Sequence, residues 1–232
     1  MPIGIIVDVI AVALGGITGS LIGSRMGSQV KEKMTTVLGV CAMAIGLVSV
    51  ILMVNLPAVV LATIAGTALG IAIRLGKLIE KGALRISGFF PARESKAENG
   101  LVVLAIILFC ASGTGIYGTI VEGMSGDSTV LVSKAILDFV TAMIFACSAG
   151  PAIAAVAIPQ AVLMVLVFFI SRLAGPHITD TMMRDFRSCG GLITLVTGMK
   201  VAKVRDFPVA EMIPAMVLVF LTSYAWTGLM VH

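Results

Sequence analysis

A carboxylate and an ammonium group lie inside one of the most apolar stretches of this sequence. Asp138 and Lys134 are the charged residues of the run 129–149. Because they are four residues apart, their side chains share one face of a helix. Two interpretations follow: an internal salt bridge near a membrane interface, or a site where Asp138 binds a cation or a proton while Lys134 tunes its proton affinity.

Two further polar side chains, Asp8 and Gln160, interrupt apolar runs. Asp8 lies near the start of the run 3–23, where it is either an interfacial anchor or a second acidic group of the site. Gln160 follows Pro159, which removes a backbone hydrogen bond and opens a helix one turn earlier. The amide therefore bonds either to another helix or to a wet cavity.

The segment 112–118 predicts a break or kink in a helix. It reads Ser-Gly-Thr-Gly-Ile-Tyr-Gly, and each glycine weakens a helix by about 1 kcal/mol relative to alanine. In lipid, backbone groups released by such a break must line a cavity. Ser112 and Thr114 are therefore candidates for a substrate-binding site.

Glycines at four-residue intervals indicate close approach of helices. Small residues at this spacing let two helix backbones come together in a membrane. The pattern predicts either tight packing, including a seam between copies in a homo-oligomer, or a thin wall beside a translocation path. The glycines concerned are Gly15, Gly19, Gly23, Gly66 and Gly70.

The composition requires that lipid surrounds these elements. Of the 232 residues, 59% are hydrophobic and 12% are charged, too few charges to cover a water-soluble surface. The apolar runs are continuous and near 20 residues long, which is typical of transmembrane helices and not of barrel strands. The sequence predicts an all-α polytopic membrane protein with about eight transmembrane helices, or seven if residues 188–202 are re-entrant. The predicted spans are 3–23, 34–54, 56–73, 101–121, 129–149, 151–171, 188–202 and 212–231.

The basic residues predict the orientation of these spans. We expect a single transmembrane domain over 1–232, in which 1–73 holds three spans, 74–99 is an interfacial helix and loop, and 100–232 holds the rest. Twelve of the 16 Lys and Arg residues fall in loops on one side, and three fall on the other. By the positive-inside rule the richer side, including the long basic loop 74–99, is cytoplasmic, and both termini face outward. The expected location is the bacterial cytoplasmic (inner) membrane.

An internal repeat is suggested by two pairs of segments. Val7–Val9 can be laid on Leu137–Phe139, so that Asp8 pairs with Asp138. The glycines at 39 and 46 can be laid on those at 191 and 198, which have the same spacing of seven. Repeats of this kind build many transporters.

The same residues limit the classes of function. The four cysteines stand singly and there are two histidines, so we expect no metal site and no cofactor. The net charge of +4 is explained by topology, so we expect no nucleic-acid partner. The expected partners are the lipid bilayer and an unknown small solute or cation.

Three functional hypotheses remain open from the residues. The leading one is a permease or carrier, and the alternative is a structural or regulatory membrane subunit that packs through its glycine faces. No catalytic constellation is evident, so we expect that the chain is not an enzyme. A lipid-modifying enzyme would have to use Arg184, Asp185 and Arg187, which are the only polar cluster near an interface.

Several segments together resemble a known family. They are the opening Met1–Gly4, the pair Gly15-Gly16, the turn Gly126-Asp127 before Lys134–Asp138, and Thr179-Asp180 leading to Gly190–Leu192. Over nearly the whole chain the sequence is similar to the YdfK/YqgA-type family of multi-pass bacterial inner-membrane proteins, a domain of unknown function. The resemblance implies location and architecture and supplies no substrate.

Overall fold

The computed structural model describes residues 2–22, 27–87, 96–110, 112–174 and 178–230. Within these ranges the secondary structure is helical and contains no strand, as the continuous apolar runs predict. The helices are α1 (Ile3–Ile22), α2 (Ser28–Val50), α3 (Leu56–Ala72), α4 (Leu75–Ser87), α5 (Lys96–Cys110), α6 (Gly113–Ser125), α7 (Thr129–Ala149), α8 (Ala152–Ala155), α9 (Ala157–Ala174), α10 (Asp180–Val201) and α11 (Ala215–Met230), with a 3-10 turn at Ala210–Met212.

The prediction of an all-α polytopic membrane protein is confirmed. In the described ranges, six segments are long and apolar enough to cross a bilayer, and a seventh exists if α3 and α4, which meet at 59°, form one bent span. The predicted count of eight transmembrane helices requires that α3 crosses the bilayer without α4 and that the polar α10 crosses it as well. This count stays a prediction.

The helix boundaries correct three expectations. The predicted segment 188–202 does not begin a helix of its own but is the second half of α10, which begins at Asp180 and is 22 residues or about 33 Å long; whether it spans the membrane or is re-entrant stays a prediction. Residues 96–99 belong to α5 and not to the loop 74–99. The predicted span 101–121 is divided between α5 and α6, and α6 extends to Ser125, where Gly126 ends it in the left-handed region at φ 75°.

Glycines on both helices allow close contact between α2 and α10. Gly39, in the first half of α2, lies against Gly198 near the end of α10. Gly46, seven residues further along α2, lies against Gly191. The partner positions run in opposite directions, so the two helices are antiparallel. A side chain at any of these glycines would overlap the facing backbone, which is why residues without a Cβ stand there.

The structure relates the halves of the molecule differently from the predicted repeat. Pairing Asp8 with Asp138 joins α1 to α7, which are parallel, whereas pairing Gly39 with Gly191 joins the antiparallel α2 and α10. One rotation cannot relate both pairs. An interval of 152 residues separates Asp8 from Gln160 and also separates Gly39 from Gly191. At that interval α1, α2 and α3 correspond to α9, α10 and α11.

Each of these three corresponding pairs is antiparallel and in contact. Gly66 of α3 lies against Ala215 at the start of α11, and Gly70 lies against Glu211 in the 3-10 turn just before it, so the partner positions descend. Gly16 of α1 lies against Ala154 just before α9, while Asp8 bonds to Gln160 within it. Antiparallel correspondence of successive helices is the geometry of an inverted-topology repeat.

Candidate binding site

Four polar side chains from three helices meet in the interior of the protein. Lys134 Nζ of α7 lies 2.9 Å from Asp8 Oδ2 of α1 and also donates to Asp138 Oδ2. Gln160 Nε2 of α9 donates to the same Asp8 Oδ2 at 2.9 Å. We call these four residues the polar cluster. All four are buried, and Asp8 and Gln160 have no exposed surface at all.

The burial of Asp8 corrects one expectation from the sequence. An interfacial anchor would keep its carboxylate at the membrane edge, but this carboxylate is enclosed between helices. The cause is the close packing of α1 on α7, in which Gly15 lies against the backbone of Phe139 and Gly19 against that of Met143. With no side chain between the two helices, Asp8 comes within hydrogen-bonding distance of Lys134.

The polar cluster leaves two acceptor atoms unpaired. Asp8 Oδ1 and Gln160 Oε1 are buried and have no hydrogen-bond partner among the described residues. A buried acceptor without a donor costs about 1–3 kcal/mol, and more when it is charged. Native structures contain few such atoms, and each calls for a physical explanation.

A cavity of about 60 Å³ adjoins the polar cluster. Lys134 and Asp138 form part of its wall, and Ser112, Thr114 and Thr194 add hydroxyl groups. One water needs about 10–15 Å³ of such volume, so the cavity holds a few waters or a small ion. The six residues predicted as candidate ligands therefore lie in one place, four of them in the polar cluster and two in the wall beside it.

The break between α5 and α6 positions the hydroxyl groups of this wall. Ser112 caps the start of α6, where its Oγ accepts a hydrogen bond of 3.4 Å from the Gly115 backbone. Thr114 Oγ1 then donates to Thr194 Oγ1 of α10 at 3.1 Å. The sequence predicted the break but gave no indication of Thr194, whose contact with Thr114 depends on the packing of α10 against α6.

The glycines of the predicted packing faces lie inside the bundle where they are described. Gly15 and Gly19 face α7, Gly66 faces the start of α11, and Gly70 faces the 3-10 turn before it. Gly23 lies outside the described residues. The described glycine faces are therefore occupied by helices of the same chain.

Two buried carboxylates, those of Asp185 and Glu122, bind the first turns of other helices. From the sequence they were assigned to loops and helix ends. Asp185 accepts hydrogen bonds from the backbone of residues 54 and 55, from the Asn55 amide and from Ser223. Glu122 accepts from the backbone of Gly4 and residue 5, at the first turn of α1. A negative charge at a helix N-terminus stabilises it, because the first backbone N–H groups have no partner within the helix.

The three residues considered for a lipid-modifying enzyme are bound to the protein. Asp185 anchors α3 as described, and Arg184 donates to the backbone oxygen of Leu52. Arg187 pairs with Asp127 at 3.1 Å in the turn between α6 and α7. The Asp127 pKa is lowered from its ordinary value, first by hydrogen bonds from Thr129 and then by Arg187. These contacts give each of the three a structural partner.

Comparison with known proteins identifies relatives that span the whole chain. Residues 3–224 match the family described as a protein of unknown function, DUF554. The chain is 40% identical over 234 residues to the uncharacterized protein YqgA of Escherichia coli (strain K12), covering 98% of this chain and 99% of that protein. It is 20% identical over 223 residues to the uncharacterized membrane protein YdfK of Bacillus subtilis (strain 168), covering 93% of each. The predicted resemblance is confirmed, and no solved structure matches.

Proposed function

We propose that this chain, which belongs to the DUF554 family, is a permease or carrier for a small solute or ion in the bacterial cytoplasmic membrane. The observation that carries the proposal is the meeting of two carboxylates, one ammonium and one amide beside a hydroxyl-lined cavity. Ionisable groups inside a membrane protein are expensive to bury, and they commonly mark the path of an ion or a substrate.

The inverted arrangement of helices supports the same proposal. Carriers built from inverted repeats bind their substrate where the two copies meet, near the middle of the bilayer. Here Asp8 and Gln160 occupy corresponding positions of α1 and α9 and are bonded to each other. The polar cluster therefore lies where the two repeat units of the chain meet.

The proposed orientation follows from the basic residues. Arg and Lys residues concentrate in the loops after α1, around α4 and after α10. The positive-inside rule then puts these loops, including the basic segment 74–99, in the cytoplasm. Asp127 and the turn that holds it would face outward.

The alternative of a structural or regulatory subunit has less support. That hypothesis requires glycine faces that are free to receive a partner helix. The faces of Gly15, Gly19, Gly66 and Gly70 are filled by α7, the start of α11 and the 3-10 turn before it. It also predicts scattered polar residues, whereas four of them bond to one another in the polar cluster and two lie in the wall of the adjoining cavity.

Transport by the reconstituted chain tests the proposal. Liposomes containing the purified protein are assayed for uptake of labelled amino acids, amines, organic acids and inorganic cations at several pH values. We expect that one chemical class accumulates and that Asp138→Asn abolishes its uptake. The matched control is Asp206→Asn, because that carboxylate is exposed and its ion-pair partner in the described part of the chain is the exposed Lys200. Absence of uptake of every compound by folded protein contradicts the proposal.

A further inference from the structure

A charge count shows what the polar cluster lacks. In the state in which Asp8 and Asp138 are both deprotonated, the ammonium of Lys134 balances one of the two negative charges, which leaves a net charge of −1. An uncompensated charge in the interior of a membrane protein is costly. Building on the carrier function proposed above, we propose that the site binds one monovalent cation or one proton in alternation, so that the protein exchanges one for the other across the membrane.

The unpaired atoms define the sign of the ligand. Asp8 Oδ1 and Gln160 Oε1 both accept hydrogen bonds and have no donor within the described structure. The orientation of the amide is fixed by chemistry, because Nε2 donates to Asp8 and a flipped amide would place its oxygen against the carboxylate. Two acceptor oxygens suit a cation or a proton and repel an anion.

The size and charge of the site favour a small ligand with a single charge. The cavity of about 60 Å³ is bordered by Lys134 and Asp138, which connect it to Asp8 and Gln160 behind them. It holds a few waters or a small, partly hydrated ion, and it is too small for an organic solute. Among the described residues, no three His, Cys, Asp or Glu side chains gather as a metal-ligand set. A divalent cation would turn the net charge from −1 to +1, whereas a monovalent cation cancels it.

The same count explains the exchange with a proton. The titratable groups that face the site are Asp8 of α1, Lys134 and Asp138 of α7, and the Cys110 thiol of α5. This thiol interacts electrostatically with both charged groups of α7. The neighbouring α9 and α6 contribute side chains that do not titrate. A proton on either carboxylate cancels the charge as a cation does, and binding both would leave +1. The two ligands therefore compete, and the exchange is electroneutral.

A proton-release assay tests this inference on the full chain. Liposomes carrying the protein and a pH-sensitive dye are loaded at acidic pH, and NaCl, LiCl, KCl or choline chloride is added outside. We expect at least one small alkali cation to drive protons out, choline to have no effect, and a potassium–valinomycin voltage clamp to leave the rate unchanged. Asp138→Asn and Asp8→Asn should abolish the release, and Asp206→Asn should retain it.

A second variant keeps the test valid if a charge substitution prevents folding. Gln160→Met retains the net charge and removes the unpaired amide oxygen. We expect that it raises the cation concentration needed for half-maximal proton release and leaves the one-for-one ratio unchanged. If the half-maximal concentration does not change, the amide oxygen is not a ligand and the inference is overturned.

The outcomes separate this inference from the proposed function. Uptake of a neutral or anionic solute, with no proton movement in response to any alkali cation, overturns the cation–proton exchange and retains the carrier. Folded protein with neither solute uptake nor proton release contradicts both. Proton release that depends on a cation and changes with clamped voltage refutes the one-for-one count.

Discussion

Replacing Lys134 with methionine should leave two buried carboxylates facing each other without a counter-charge. The ammonium lies 2.9 Å from Asp8 and also bonds to Asp138, and the side chain keeps only 3% of its surface exposed. Removing one partner of a buried ion pair costs about 3–5 kcal/mol. Because Lys134 serves two carboxylates, we expect a loss in the upper half of that range, offset in part when one carboxylate takes up a proton.

The neutral triple variant separates a binding site from a structural staple. Lys134→Met combined with Asp8→Asn and Asp138→Asn removes every charge of the polar cluster. Replacing a complete buried ion pair by well-packed hydrophobic residues is often without cost or stabilising. The triple variant likewise leaves no buried charge without a partner, so most of the lost stability should return. Ligand binding and transport should remain lost, because the charges that hold the ligand are gone.

Thermal unfolding in detergent measures both effects. Trp226 of α11 is the single tryptophan and reports unfolding by fluorescence. In a chain of this size 1 kcal/mol shifts the melting temperature by about 2–4 °C, so a loss of about 4–5 kcal/mol should make Lys134→Met melt roughly 8–20 °C lower than the parent protein. A shift of less than about 2 °C would refute the buried ion pairs. A triple variant as unstable as Lys134→Met would show that the cluster serves stability alone.

Three further predictions concern the supports of the site. Gly19→Ala should lower stability by about 1–3 kcal/mol, because the new Cβ would overlap the backbone of α7. The control Gly228→Ala, at a glycine that faces open space, should stabilise the protein by up to about 1 kcal/mol, and equal melting temperatures of the two variants would contradict this packing. Asp185→Asn should destabilise by about 1–3 kcal/mol in chemical unfolding, because the new amide opposes the Asn55 amide, and an unchanged midpoint would exclude that anchor. The lowered Asp127 pKa should give stability that is present above pH 3.8 and is lost as the pH falls through the lowered value, and a pH titration of Asp127→Asn should lack that component.

Local patterns in the sequence were sufficient to predict the helices and one pair of interacting residues in the site. The lengths of the apolar runs determine where helices form, and the four-residue interval brings Lys134 and Asp138 to one face. The glycine-dense segment also predicted the break that precedes α6. These inferences succeed because each depends on residues within a few turns of one another.

Contacts between distant parts of the chain could not be predicted in this way. Asp8 meets Lys134 across 126 residues, and nothing in the apolar run around Asp8 distinguishes a membrane edge from a buried site. Asp185 and Glu122 bond to the starts of other helices, so neither reveals its partner in its own sequence context. A hydropathy test does not detect α10 as a span because charged residues such as Arg184 and Asp185 lower its mean hydropathy, and only the folded structure shows that their partners are Leu52 and the residues before α3.

The most direct test of a ligand site at the polar cluster is the melting temperature of the purified chain in detergent with added ligands. A ligand that binds only the folded state stabilises it by about 2.7 kcal/mol at a hundredfold excess over Kd. We predict that alkali cations raise the melting temperature, that lower pH weakens this effect through competition, and that Asp138→Asn abolishes it while Asp206→Asn does not. If no cation or solute raises the melting temperature, and Asp138→Asn merely lowers it, the polar cluster is not a binding site.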